Sequence, residues 1–312
     1  MTRRSLTSSI VFALMAGAAL VVTARTALPG RVPVRVTVPL VVEGNRPYVD
    51  VTLRRANGTE RIARFLVDSG GGGFLLTEPL ARDLGLTWGK TSKEEGAEFA
   101  TPSVIPQASI GVFPLALTPE RVLVLVGETN VVPKAAPGHA DGLLPGHILA
   151  KYHVVFDYPR AEFTIALPHM LTPEGEAMKM PVSRTGFPRT EIQIDGRTYG
   201  MLVDTGASFT MVSEVLLKAL GAAHPDWPRV PGGAGEAATL GGTTLETMTL
   251  PGATWGTIAL PSFGIVSQRE GTFEKYMSGM MTAPIIGSLA GNVLKQFRVE
   301  LDYPNQKLYL RR

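Results

Sequence analysis

Where the chain leaves its N-terminal segment, Val32, Val34, Val36 and Val38 alternate with Pro33, Arg35 and Thr37. That is the period-two pattern of a strand with one buried face. Pro33 and Pro39 cannot donate to a ladder, which suits strand ends or a sheet edge. Residues 48–53 and 62–67 predict two more strands, and Asn57-Gly58 between them predicts a hairpin turn because both residues tolerate positive φ. The second of these strands, Phe65-Leu66-Val67, runs into Asp68-Ser69-Gly70. A short helix is expected next, with Thr77 as its N-cap, Pro79 in its first turn and Gly85 as its stop. Short strands and turns over 88–126, a short helix over 148–152 and a closing hairpin over 154–165 complete the first half.

The same order then recurs. Residues 191–194 alternate into an Asp195-Gly196 turn, and Met201-Leu202-Val203 runs into Asp204-Thr205-Gly206. Ser213 is expected to cap a helix through Leu220, with Gly221 ending it. Setting Asp68 on Asp204, an offset of 136, keeps the next seventeen residues in register. Thr77-Glu78 falls on Ser213-Glu214 and Leu84-Gly85 on Leu220-Gly221. The closing Asp-Tyr-Pro triplets, at 157–159 and 302–304, stand at an offset of 145, so loops take up nine extra residues in the second copy. A fixed offset held over many positions is the mark of internal repetition. The expectation is an all-β protein of two homologous lobes in tandem, 30–168 and 181–312. Residues 169–180, with Pro173 and Gly175, read as the linker.

Composition adjusts this picture in three places. Arg3 and Arg4 precede an apolar run over about residues 10–22 that ends in Val22-Thr23-Ala24, the layout of a signal peptide over 1–24. The folded part is therefore expected in the periplasm or secreted, with an uncleaved N-terminal anchor as the alternative. The formal charge of +3 contains Arg3 and Arg4; without 1–24 there are 28 basic and 27 acidic residues, which gives no concentrated basic face for nucleic acid. Cysteine is absent, which excludes disulfides, thiol catalysis and thiolate metal sites.

The duplicated acid-bearing turn carries the chemistry. Two carboxylates held together cannot both ionise cheaply, so they share a proton. One can then draw a proton from an intervening water while the other donates to the carbonyl under attack, with no metal and no cofactor. Ser69 and Thr205 supply hydroxyls to brace the turns, and Gly70 and Gly206 permit close backbone approach. Gly70 to Gly73 lacks the Lys-Ser/Thr of a phosphate loop. His139, His147, His153, His169 and His224 lack metal-ligand spacing, and Asp157 and Asp302 read as turn residues.

With Asp68-Ser69-Gly70, Asp204-Thr205-Gly206 and the apolar-apolar-Gly element Ile285-Ile286-Gly287, the chain resembles the aspartic peptidases of the pepsin and retropepsin group over most of residues 45–312. The resemblance implies two acid-protease-type β-barrel lobes with a cleft between them and a flap over it. It also implies endopeptidase activity on a polypeptide substrate, with Asp68 and Asp204 as the catalytic pair in a monomer. The flap is expected within 96–109, with 232–240 as its counterpart. Two departures stand out. The family's hydroxyl residue two after the motif glycine, which helps orient the carboxylate, is matched by Ser208 but not by Gly72. In the first copy Leu143-Leu144 is followed by Pro145 and only then Gly146. A non-catalytic peptide-binding protein on the same scaffold, or a dyad built from Asp204 of two chains, remain the alternatives.

Overall fold

The computed structural model describes residues 33–55, 57–94, 97–127, 140–229 and 247–312, with the short strands Thr239–Leu240 and Thr243–Thr244. The expected signal peptide, and most of the 232–240 stretch, lie outside the described residues. Among the described residues no helix is long and apolar enough to cross a membrane.

The protein is all-β, built on three large sheets. A ten-stranded sheet carries Asp68 and an eight-stranded sheet carries Asp204. In the first, Glu60–Asp68 lies between Arg46–Arg54, antiparallel to it, and Gly142–Pro145, parallel to it. In the second, Arg197–Val203 lies in the same way between Arg189–Ile194 and Gly287–Leu289. The outer part of Glu60–Asp68 alternates, but Phe65, Leu66 and Val67 are all buried. Phe65 and Val67 enter the main core, while Leu66 joins a second cluster with Tyr48, Leu75 and Leu143. Apolar packing on both faces is what an uninterrupted apolar run in a strand specifies, and it fixes the strand end where the aspartate sits.

The third sheet joins the halves. Its order is Arg35–Pro39, Glu162–Ala166, His153–Asp157, Arg298–Asp302, Lys307–Arg311, Glu176–Lys179: three strands from each half. The two closing hairpins meet along its centre, with Val155 opposite Glu300. Residues 176–179, read from sequence as part of a linker, form a strand on the C-terminal one. Val154, Phe156, Val299 and Leu301 point into the core. The other face holds charge: His153 Nε2 lies 2.7 Å from Glu300 Oε1, and Arg298 reaches both Asp157 and Glu300.

The turn and cap signals place most elements. Asn57 Oδ1 accepts from the Thr59 N–H in the expected hairpin. Ser213 Oγ accepts from the Leu216 N–H, the predicted cap. Helix Glu78–Asp83 follows Thr77 and stops before Gly85, which has φ +74°. The second helix, Glu214–Ala223, runs through Gly221 instead of ending there: Gly221 is buried in the helix, close to Arg229 and Met248. The short helix expected over 148–152 is Gly146–Leu149.

One sequence alignment needs correction. Gly142 pairs with Phe65, three before Asp68, and Gly287 pairs with Met201, three before Asp204. The counterpart of Gly287 is therefore Gly142, at the offset of 145 that also relates the closing hairpins, and not Gly146. A Cβ on Gly142 would lie 2.5 Å from the Leu75 carbonyl oxygen, and one on Gly287 would lie 2.3 Å from that of Met211, so both positions require glycine. Pro145 is then no interruption: it ends a strand opposite Asp68, and Gly146 opens the next helix.

Candidate active site

Each aspartate ends a buried strand and turns its carboxyl into its own following turn. Asp68 Oδ1 accepts from the Gly70 N–H at 2.8 Å, and Asp204 Oδ1 accepts from the N–H groups of Gly206 and Ala207, both at 3.1 Å. The turns cross over one another. The Ser69 N–H donates to Thr205 Oγ1 and the Thr205 N–H to Ser69 Oγ, both at 3.0 Å. Ser69 Oγ donates to the Val203 carbonyl at 2.6 Å, and Thr205 Oγ1 to the Val67 carbonyl at 2.7 Å. Both hydroxyl residues are fully buried, so these four bonds have no competition from water.

This joint sets the two carboxyls against each other. A Cβ on Gly70 would lie 3.0 Å from Asp204 Cγ, and one on Gly206 would lie 2.3 Å from Asp68 Cγ. Each motif glycine thus makes room for the other half's acid. Burial, and then the neighbouring Asp204 charge, push the Asp68 carboxyl up to about 8. Asp204 is also raised by burial, against the pull of the Ala207 and Gly206 N–H groups. Such a pair shares its proton and titrates as a unit.

Ser208, beside the second motif, is bonded across the joint. Its hydroxyl donates to the Gly44 carbonyl at 2.6 Å, because the Gly44-Asn45 turn of the first half packs onto the second half's motif. Asn45 Nδ2 donates to the Ser208 carbonyl at 3.1 Å, and Arg46 Nε to that of Gly206 at 3.0 Å. The mirror contact comes from Thr185-Gly186-Phe187, where Gly186 packs against Gly146. Asn45 and Gly186 both have left-handed backbones, φ +66° and +88°. The missing hydroxyl at Gly72 therefore leaves no carboxylate without a partner.

Sequence reasoning missed Arg46 and Phe187. Arg46 stands beside both aspartates and draws the proton affinity of each down. Phe187, at the corresponding place, is apolar and lines a groove of about 730 Å3 that begins at Gly70. No local pattern marks either residue; their roles arise from a turn docking across the joint. The hairpin Ser92–Glu94 and Ala97–Ala100 sends Phe99 to the same groove, whereas Ala108–Ile110 turns away to pair with Arg46–Arg54. Among the described residues no group of three or more His, Cys, Asp or Glu side chains could hold a metal ion. The tryptophans pack: Trp255 is buried with its N–H on Thr190, Trp88 lies under Arg82, and Trp227 stacks on His224. Asp157 and Asp302 accept from the Arg160 and Asn305 N–H groups of their turns.

The fold and the paired acid-bearing turns resemble those of the aspartic peptidases of the pepsin/retropepsin type. Comparison with known proteins agrees. Residues 190–269, which include Asp204, match the aspartyl protease family model. Among solved structures, the aspartic proteinase from Irpex lacteus is similar with a TM-score of 0.54, covering 88% of this chain and 96% of that one at 12% identity. At that identity the likeness is one of fold. No curated protein matches the chain in sequence.

Proposed function

We propose that the protein is an exported, single-chain aspartic endopeptidase whose two lobes, over 30–168 and 181–312, each give one carboxylate to a shared site. The family match and the fold support peptide hydrolysis in general. The finer reading rests on the crossed hydroxyl joint, which holds the Asp68 and Asp204 carboxyls face to face with a raised proton affinity.

In this reading the pair carries one proton. The ionised member takes a proton from a water lying between the carboxyls, and that water attacks the scissile carbonyl carbon. The protonated member donates to the carbonyl oxygen, giving a neutral gem-diol. Collapse breaks the C–N bond as the carboxyl proton passes to the leaving amine and a gem-diol hydroxyl gives its proton to the ionised carboxylate, which returns the pair to one proton. The turn N–H groups hold the carboxylates in place, and Arg46 keeps their proton affinity from rising further.

The export segment at 1–24 and its apolar run support a periplasmic or secreted location, and a site completed within one chain supports a monomer. The test is hydrolysis of an unfolded polypeptide from acid to neutral pH by the parent, Asp68→Asn and Asp204→Asn, with mass determined in solution. Cleavage by a monomer that either substitution abolishes is the expected result. Cleavage that survives both substitutions would overturn the reading, and peptide binding without cleavage at any pH would make the protein a binding scaffold.

A further inference from the structure

The joint is nearly twofold, but its two flanks differ. Arg46 stands on the Asp204 side, where the corresponding turn on the Asp68 side has Phe187. The groove opening from Gly70 is walled on one side by Leu75, Phe99 and Leu123 of the first half, and on the other by Phe187, Met277 and Met280. The methionines belong to the helical segment formed by Thr272–Met277 and Ser278–Met280, packed on Phe187, Leu202, Phe273 and Ile285. A volume of about 730 Å3 lies within the rough range of 300–1,000 Å3 for sites that enclose a small ligand. It accommodates a bulky side chain with its flanking backbone.

The methionine side chains in this wall are only partly buried. The chain has 11 methionines and no cysteine to react first. Met180, Met201 and Met248 are almost fully buried, whereas Met277, Met280 and Met281 are half-buried, as are Met178 and Met211, which lie outside the groove lining. Thioether oxidation follows access and turns a flexible apolar group into a polar sulfoxide.

We propose that the groove beside Asp68 is a redox-responsive subsite: it takes a large apolar side chain of a peptide laid across the aspartates, and peroxide oxidation of Met277 and Met280 closes it to that side chain. This rests on the peptidase reading for the identity of the occupant. Chemically, each thioether sulfur takes one oxygen atom from the peroxide and is oxidised by two electrons, while the peroxide is reduced to water. A dithiol with a sulfoxide reductase returns the thioether, becoming a disulfide and releasing water.

The test uses hydrogen peroxide on the full-length protein, with peptide mass mapping, and two peptides that differ only in Phe or Ala at the groove position. Binding is read on the Asp204→Asn protein and hydrolysis on the parent. Met277 and Met280 should oxidise well before Met201 and Met248. Phe-peptide binding should fall roughly tenfold, the scale set by burying one large apolar side chain, with Ala-peptide binding changed less than about twofold. Reductase should restore it. In Met277→Leu/Met280→Leu, compared with its own untreated sample, peroxide should leave binding unchanged although Met170, 46% exposed, still oxidises. Undiminished Phe-peptide binding with both sulfoxides formed, equal binding of the two peptides before treatment, or equal loss in the leucine variant would each overturn the proposal. Failed hydrolysis with the binding pattern intact would overturn only the peptidase reading.

Discussion

Replacing Thr205 by valine tests the crossed joint directly. Valine keeps the branched shape and removes only Oγ1, which donates to the Val67 carbonyl and accepts from the Ser69 N–H. Both residues are fully buried, so neither orphaned group can turn to water. A typical hydrogen bond contributes about 1 kcal/mol net, but an orphaned buried donor or acceptor costs about 1–3 kcal/mol. With two groups affected the expected loss is about 2–6 kcal/mol, a large share of the roughly 5–15 kcal/mol that holds a domain together. The opposite pair of bonds, through Ser69 Oγ, survives, so the variant should still fold. Guanidinium unfolding followed by tryptophan fluorescence reads the change as a shift in midpoint at constant slope. Trp88 reports from the first half, and Trp227 and Trp255 from the second. Thr205→Ser, which keeps the hydroxyl, should stay within about 1 kcal/mol of the parent. A valine variant as stable as the serine variant would show that the joint is not held by these bonds.

Three further outcomes follow from the same site. Because the folded Asp68 carboxyl is raised to about 8 from an unfolded value near 3.8, the native state binds the extra proton between those limits. Its stability relative to Asp68→Asn should therefore fall as pH rises from about 4 to 8, and be level below 4; parallel Tm curves for the two proteins across that window would contradict this. Arg46→Gln keeps a donor for the Gly206 carbonyl but loses the charge, so the upper limb of the pH–rate profile should move to higher pH; an unmoved limb would remove Arg46 from the electrostatics of the pair. Tyr158 and Tyr303 are buried with hydroxyls that meet no partner, and Phe at either position should raise stability by about 1 kcal/mol in denaturant unfolding; a loss of that size would mean the hydroxyl is satisfied in solution.

Much of this arrangement is legible in the residues. The apolar runs ending at Asp68 and Asp204, the Asn57-Gly58 turn and the Ser213 cap depend on neighbours in sequence, and each forms as its local chemistry dictates. What escaped reading depends on neighbours in space. Leu143-Leu144 looks like the partner of Ile285-Ile286 because both are apolar, yet register is set by which glycine fits under a carbonyl, and that is Gly142. Gly221 reads as a helix stop, but packing against Arg229 and Met248 gives the helix a reason to continue. Residues 176–179 have weak strand character of their own and pair because the C-terminal strand offers an open edge. Ser208, Arg46 and Phe187 take their places only when one half's turn docks on the other's motif.

The central sheet gives the molecule a natural dividing line. It takes three strands from each half, and the chain passes from one set to the other through residues 167–175, where Thr172 and Pro173 are exposed. Opening the backbone there would leave two fragments with matching open edges at His153–Asp157 and Arg298–Asp302, each carrying one aspartate and half of the crossed joint. Such fragments amount to a split reporter: neither holds a complete pair, and any signal from the site would register the moment the two find each other. In the unbroken chain, likewise, a molecule with only one half folded holds one aspartate of the two.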